Sequence, residues 1–318
     1  MITPWHIWGA FLLELAFGNS KWLPRPENAV LRAVRFIEHL VVTEHPLFKN
    51  GVLKIGEKWA GVVLSLAVVL LTGGTGALLI FLSHHLHSKI ELAVLLYLAY
   101  TTLTIRSFGD RAYEVFQWLQ KKNLSFAEKE LSLMTGRNKQ GLPESEIIRV
   151  AVLTISENSV HGVVAPLLYL SLGGVPLAMA YQAVNTLYFS LGQKDLRNQR
   201  WGLGTVQLYD IVNCIPARIT GVLMAIGATF LFGTGSKAFM ILLRNCLQHH
   251  NTDVEIQDVV LAGAIGMTLR TPSADVDVLP MFPLREDQAD SVQLHYIMDA
   301  VKLMCAVACI MLIVCMMI

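Results

Sequence analysis

The chain has 318 residues, 54% of them hydrophobic and only 15% charged, and 25 Lys+Arg against 24 Asp+Glu leave a formal net charge of +1. Soluble domains carry roughly a quarter charged residues, so this composition, with a mean hydropathy of +0.51, excludes disordered, coiled-coil and collagen-like chains and points to an integral membrane protein. The near-zero net charge supplies no field for nucleic acid, and no nucleic-acid partner is expected.

In chain order, the apolar stretch 5–17 has no Lys or Arg ahead of it and no small-residue cleavage site, so it reads as an interfacial or partly inserted helix rather than a cleaved signal. Residues 59–83 hold no Asp, Glu, Lys or Arg and form the clearest span; 90–105 follows after a turn with His84, His85, His87 and Lys89, which completes a helical hairpin. Within the first of these, the run from Thr72 to Gly76 lacks the lysine of a phosphate loop, so its glycines predict close helix packing. The histidine cluster has metal-binding residue types but no carboxylate within the turn, and packing or solvation is the simpler account.

The charged stretch 106–150 predicts a soluble helical loop, with Ser125 as N-cap and Glu128 three residues later, and a further helix after Pro143 with Glu144 and Glu146 in its first turn. The apolar run 163–191 is too long for one straight span and too short for two, and Gly173, Gly174 and Pro176 interrupt it. That pattern predicts a broken or re-entrant helix pair lining a site. Spans at 219–236 and 303–318 complete an all-α polytopic membrane protein of four to five membrane helices plus the broken element, organised as a single integral-membrane domain over 1–318. Basic residues in the segments before 59 and after 105 place both on the cytoplasmic side. Five cysteines without paired spacing read as apolar fillers.

Ionisable residues in apolar surroundings are costly and mark function by default. Glu157, Asn158 and His161 fall at i, i+1 and i+4, which puts Glu157 and His161 on one face of a helix. Asp210 and Asn213 share a face in a second polar stretch that ends on Arg218. The two stretches flank the broken element as halves of one polar site; the alternative is a pair of structural ion pairs, since buried charges are paired whatever their role.

These stretches resemble the CbiB/CobD family, the membrane adenosylcobinamide-phosphate synthases of cobalamin biosynthesis. The resemblance rests on Gly136 and Arg137; on Glu157, Asn158, Gly162 and Pro166; on Gly173, Gly174 and Pro176; on Asn185, Thr186 and Leu187; and on Leu208, Asp210, Asn213, Pro216, Ala217 and Arg218. Weaker similarity at Trp22 to Pro24 and Leu261 to Gly266 extends it over most of the chain. It implies amide-bond formation between adenosylcobyric acid and an amino-alcohol, aminopropanol phosphate, with ATP and magnesium. It also implies a multi-pass inner-membrane protein with its site facing the cytoplasm, working as a homo-oligomer or beside other corrinoid-pathway membrane proteins. By chemistry and resemblance together, Glu157 and Asp210 suit base work or magnesium ligation. Arg137 and Arg218 suit phosphate or corrinoid carboxylates. Asn158, His161, Asn185 and Asn213 suit substrate binding.

The chain departs from the family pattern mainly at carboxylates. Asn138, His161, Tyr188 and Tyr209 stand where the family has aspartate, and Leu153 where it has glutamate. On the sequence these departures leave two other readings beside the synthase: a non-catalytic relative that binds a corrinoid or a protein partner, and a membrane regulator of the AmpE type.

Overall fold

A computed structural model of the chain describes residues 4–18, 56–136, 141–190, 202–247, 255–267 and 292–317, which form helices and, among the described residues, no strand. Among the described residues eleven α-helices follow one another: α1 (Pro4–Phe17), α2 (Gly56–Leu86), α3 (Ser88–Thr101), α4 (Ile105–Gln120), α5 (Leu124–Thr135), α6 (Glu144–Asn158), α7 (Ala165–Ser190), α8 (Gly202–Phe232), α9 (Gly235–Leu247), α10 (Ile256–Ile265) and α11 (His295–Met317), with a π-helical turn at Ser159–Val164 joining α6 to α7. Among the described residues five stretches are long and apolar enough to cross a membrane: Ser65–Leu86, Ser88–Gln120, Glu144–Phe189, Gly204–Phe232 and His295–Met317. Their outer faces carry exposed Leu70, Leu71, Phe81, Ile211, Phe230 and Ile313. Apolar side chains stay out of water only if lipid covers them, and the chain is a multi-pass helical membrane protein.

The helix ends follow local chemistry. His87 caps α3, its ring accepting the Lys89 N–H at 3.2 Å. Asn123 caps α5 by accepting the Phe126 N–H at 3.4 Å, so the cap expected at Ser125 falls two residues earlier. Glu128, expected to reach back to that cap, instead accepts the Leu142 N–H at 2.7 Å. Asparagine serves as well as serine at this position, and taking it gives the helix the extra residues Leu124 and Ser125.

The described helices divide into two units, one comprising Met1–Leu103 and Ala165–Ile215, the other Thr104–Val164 and Pro216–Met317. In the first unit, α2 packs along α7, α3 lies against both, and α1 packs on α3 and α7 through Ile7, Ala10 and Phe11. Trp5 and Trp8 of α1 are exposed, and the Tyr100 hydroxyl anchors the helix end by donating to the Gly18 carbonyl at 2.5 Å. The break expected over 173–176 falls at Gly174, whose φ of 69° and ψ of −163° only glycine adopts readily. Opposite it on α2, a Cβ at Gly73 would lie 3.1 Å from the Pro176 carbonyl oxygen and 3.2 Å from the Ala180 Cβ. The glycine run of α2 is thus a packing surface, as its sequence implied.

In the second unit, α11 packs on α4, α6 and the π turn, while α10 lies against α6, α9 and α11. The core is aliphatic, with Ile147, Ile148, Ile155, Leu303 and Met304 among its fully buried side chains. Gly227 of α8 meets Leu303 and Ala306 of α11 at Cβ distances of 3.0 and 3.5 Å.

Gly73→Val overpacks the contact between α2 and α7 and is expected to destabilise the protein by about 1–3 kcal/mol, read as a lower melting temperature in detergent. Gly74→Ala, whose Cβ meets nothing within 4 Å, is expected to leave it unchanged or higher.

Candidate functional site

The polar residues singled out from the sequence are positioned by the run from α6 through the π turn to α7 and by α8. A π turn closes its hydrogen bonds over five residues and widens the helix. His161 is buried within the turn, and Glu157 is half-buried at the end of α6.

Asn158 holds the turn in place. Its Nδ2 donates to the Thr104 carbonyl at 3.2 Å, and its Oδ1 accepts the Thr104 hydroxyl at 3.1 Å. The Thr104 N–H in turn donates to the Gly162 carbonyl at 3.0 Å. Any side chain at Gly162 would overlap both Thr104 Oγ1 and Asn158 Oδ1, so glycine is obligatory there. Arg218 belongs to this same unit and is exposed.

Asn185, Asp210 and Asn213 belong to the other unit. Asn213 is buried; its Oδ1 accepts the Tyr181 hydroxyl at 2.9 Å and its Nδ2 donates to the Tyr209 carbonyl at 3.0 Å. Tyr181 stacks on Tyr169, with ring centroids 5.0 Å apart, and the Tyr169 hydroxyl donates to the Val212 carbonyl at 2.8 Å. Asp210, three residues before Asn213 on the same helix, is exposed. Asn185 differs from both asparagines already placed, because its Oδ1 is buried and meets no hydrogen-bond donor. Tyr188 and Tyr209 stack nearly parallel, 3.6 Å apart with an interplanar angle of 9°, and Phe189 meets both rings edge-on. Arg137 and Asn138 lie outside the described residues.

Sequence reasoning missed a second set of polar groups around Glu157. Glu255 and Asp258, at the start of α10, face the end of α6. Burial, then the charges of Glu255 and Glu157, push the Asp258 carboxyl well above its ordinary value of 3.8. Burial likewise raises Glu255, partly offset by the Gln257 side-chain amide that donates to it. The Ser156 hydroxyl lies close enough to Asp258 to oppose its shift, yet completes no hydrogen bond. The signal was available: two acids three residues apart open a segment whose other residues are apolar except Gln257. At ten residues α10 is too short to cross a bilayer.

A carboxyl whose proton is held more tightly in the folded state than in the unfolded one loses stability as pH rises above 3.8 and through its raised folded value. Asp258→Asn removes that penalty. Its melting temperature is expected to exceed the parent's at about pH 8 and to converge on it towards about pH 4; a difference independent of pH would contradict the shift.

No solved structure matches the chain. The CobD/Cbib protein family matches residues 7–304. Among curated relatives, the chain is 35% identical over 260 residues to the cobalamin biosynthesis protein CobD of Geobacter metallireducens, covering 82% of this chain and 79% of that one. It is 32% identical over 272 residues to the cobalamin biosynthesis protein CbiB of Salmonella typhimurium, covering 86% and 83%. It is 30% identical over 300 residues to the CobD of Leptospira interrogans, covering 94% and 92%. With a match running through both units and every described polar stretch, the chain belongs to the CobD/Cbib family.

Proposed function

We propose that this protein performs the amide-forming step of corrinoid assembly in cobalamin biosynthesis, joining a carboxylate of adenosylcobyric acid to the amine of aminopropanol phosphate at the expense of ATP. The observation that carries the reading is the family match over residues 7–304, which spans most of each relative as well as most of this chain. The reaction is that of an adenosylcobinamide-phosphate synthase, set in the inner membrane with its site open to the cytoplasm, as the basic segments flanking the helical hairpin suggest. A homo-oligomer, or an assembly with other corrinoid-pathway membrane proteins, fits a substrate passed between membrane enzymes.

Three requirements follow from the chemistry: phosphate charge must be neutralised, the corrinoid amides must be held, and the incoming amine must lose a proton. Exposed Arg218, with Arg137, offers guanidinium forks to phosphate or to corrinoid carboxylates. The open Asn185 Oδ1 suits an amide N–H of the corrin periphery. Asn158 and Asn213, already bonded to Thr104 and to Tyr181 with Tyr209, position the turn and α8, and His161 lines the buried turn between them in sequence.

Among the described residues no three His, Cys, Asp or Glu side chains converge to hold a metal ion. Magnesium carried on nucleotide needs only one or two protein carboxylates, a requirement that Glu157 or Asp210 meets singly. ATP turns a carboxylate oxygen into a leaving group, and magnesium offsets its phosphate charge.

Purified full-length protein in detergent, given adenosylcobyric acid, aminopropanol phosphate and magnesium-ATP, is expected to yield the amide by mass spectrometry. Corrinoid binding without amide formation would overturn the synthase reading. Glu157→Gln and Asp210→Asn are each expected to lower turnover about 100-fold or more, the usual scale for losing a proton-transfer group; unchanged rates would remove them from the chemistry.

A further inference from the structure

Only Gly233 and Thr234 separate α8 from α9. Gly233 is left-handed, with φ of 69°, and the Thr234 N–H donates to the Ala228 carbonyl at 3.3 Å. This corner sends α9 back along α8: a Cβ at Gly235 would overlap Thr229 Oγ1, and one at Gly221 would lie 2.8 Å from Leu242 Cδ1. α10 then returns to the corner. Its Ile256 and Val260 meet Gly221 at Cβ distances of 3.6 and 3.8 Å, a Cβ at Gly263 would overlap Ile241, and the Ala264 carbonyl accepts the Thr234 hydroxyl at 2.7 Å. The hairpin closes at the level where it opened.

Neither arm can cross a bilayer. The 13 residues of α9 reach about 20 Å and the 10 of α10 about 15 Å, against a hydrocarbon core of about 30 Å. Yet α9, which starts where the span Gly204–Phe232 ends, is not shaped for water. Ala238, Ile241 and Leu242 are buried, while Phe239, Met240 and Leu243 are 48%, 57% and 49% exposed, and Phe230 and Leu231 at the end of α8 are exposed as well. An apolar face beside a membrane span is kept from water by lipid. The charges of α9 agree with entry from the corner. Lys237 and Arg244 are exposed and seven residues apart, so they lie on nearly one line along the helix, and α9 holds no acid. Helical side chains lean towards the N-terminus, and long cationic ones reach along apolar surface to the headgroup phosphates at that end.

We infer that α9 and α10 form a re-entrant hairpin, which enters and leaves the membrane on the side where α8 ends and holds lipid acyl chains against Phe239, Met240 and Leu243. A chain that turns back at membrane depth is tolerated where protein covers it, and α6 and α11 both pack on α10. The consequence is topological: the end of α8 and Gly266 lie on one side of the membrane. The inference stands apart from the reaction proposed above.

The test uses full-length protein with its five cysteines replaced by serine, reconstituted in vesicles of phosphatidylethanolamine and phosphatidylglycerol. Nitroxides attached at Phe239→Cys and Leu243→Cys are expected to relax with oxygen in preference to a water-soluble nickel chelate, the second lying deeper by about 6 Å, one helical turn. Preference for nickel would place the face in water, equal depths would lay α9 flat in the interface, and insensitivity to both reagents would put protein against it; each overturns the inference. Ser236→Cys and Gly266→Cys are expected to react with an impermeant maleimide from the same side of sealed, oriented vesicles, and reaction from opposite sides overturns it too. Should the serine background fail to fold, benzoylphenylalanine placed at Leu243 in the otherwise native chain is expected to cross-link to phospholipid on illumination; adducts to protein alone, or none, would count against the hairpin.

Discussion

Hydrocarbon offers no partner to a backbone group released from a helix, so every irregular turn at membrane depth must be answered from within the protein. The stretch Glu144–Phe189 has two such irregularities, the π turn and the break at Gly174. At the first, Thr104 supplies its N–H to the Gly162 carbonyl and its carbonyl and hydroxyl to Asn158. At the second, Gly73 lets the backbone of α2 come up against the Pro176 carbonyl. In both places a missing side chain is what permits the approach, which is why glycine recurs where the helix departs from regularity.

The wide turn also decides what the polar residues before it can do. At the end of α6, ahead of the turn, Ser156 and Glu157 meet the start of α10. Membrane proteins keep acids in apolar surroundings only against a partner or a function. Here Glu157 at the end of α6 and Glu255 at the start of α10 lie close enough to Asp258 to raise its carboxyl, beyond what burial alone does.

The membrane helices were legible in the sequence because lipid-spanning segments need length and little charge, and the uncharged runs 59–83 and 303–317 fall within α2 and α11. The break at Gly174 was legible for a related reason, since Gly-Gly followed by Pro has few helical options. The π turn was not, because nothing in Ser159 to Val164 distinguishes a five-residue closure from a four-residue one until Thr104 is seen beneath it. The cap at Asn123 was missed because the capping-box pattern at Ser125 competes with it locally and only tertiary contact draws Glu128 away to Leu142. Glu255 and Asp258 were visible as acids but not as a cluster, because their effect depends on α6, which is remote in sequence and close only in the fold.

Tyr188 and Tyr209 give the departures from the family pattern a physical sense. Both stand where the pattern has aspartate, on different helices, and their rings lie face to face at 3.6 Å. Two carboxylates so placed would repel and require a cation or a shared proton between them. Either tyrosine alone would press an aromatic face on the remaining charge, whereas the two together form a neutral stack that requires no ion and is closed by Phe189. The pair therefore counts as one exchange, of a charged contact for an apolar one, inside the unit that keeps Asn185, Asp210 and Asn213. The acids around Asp258 lie in the other unit and are untouched by it.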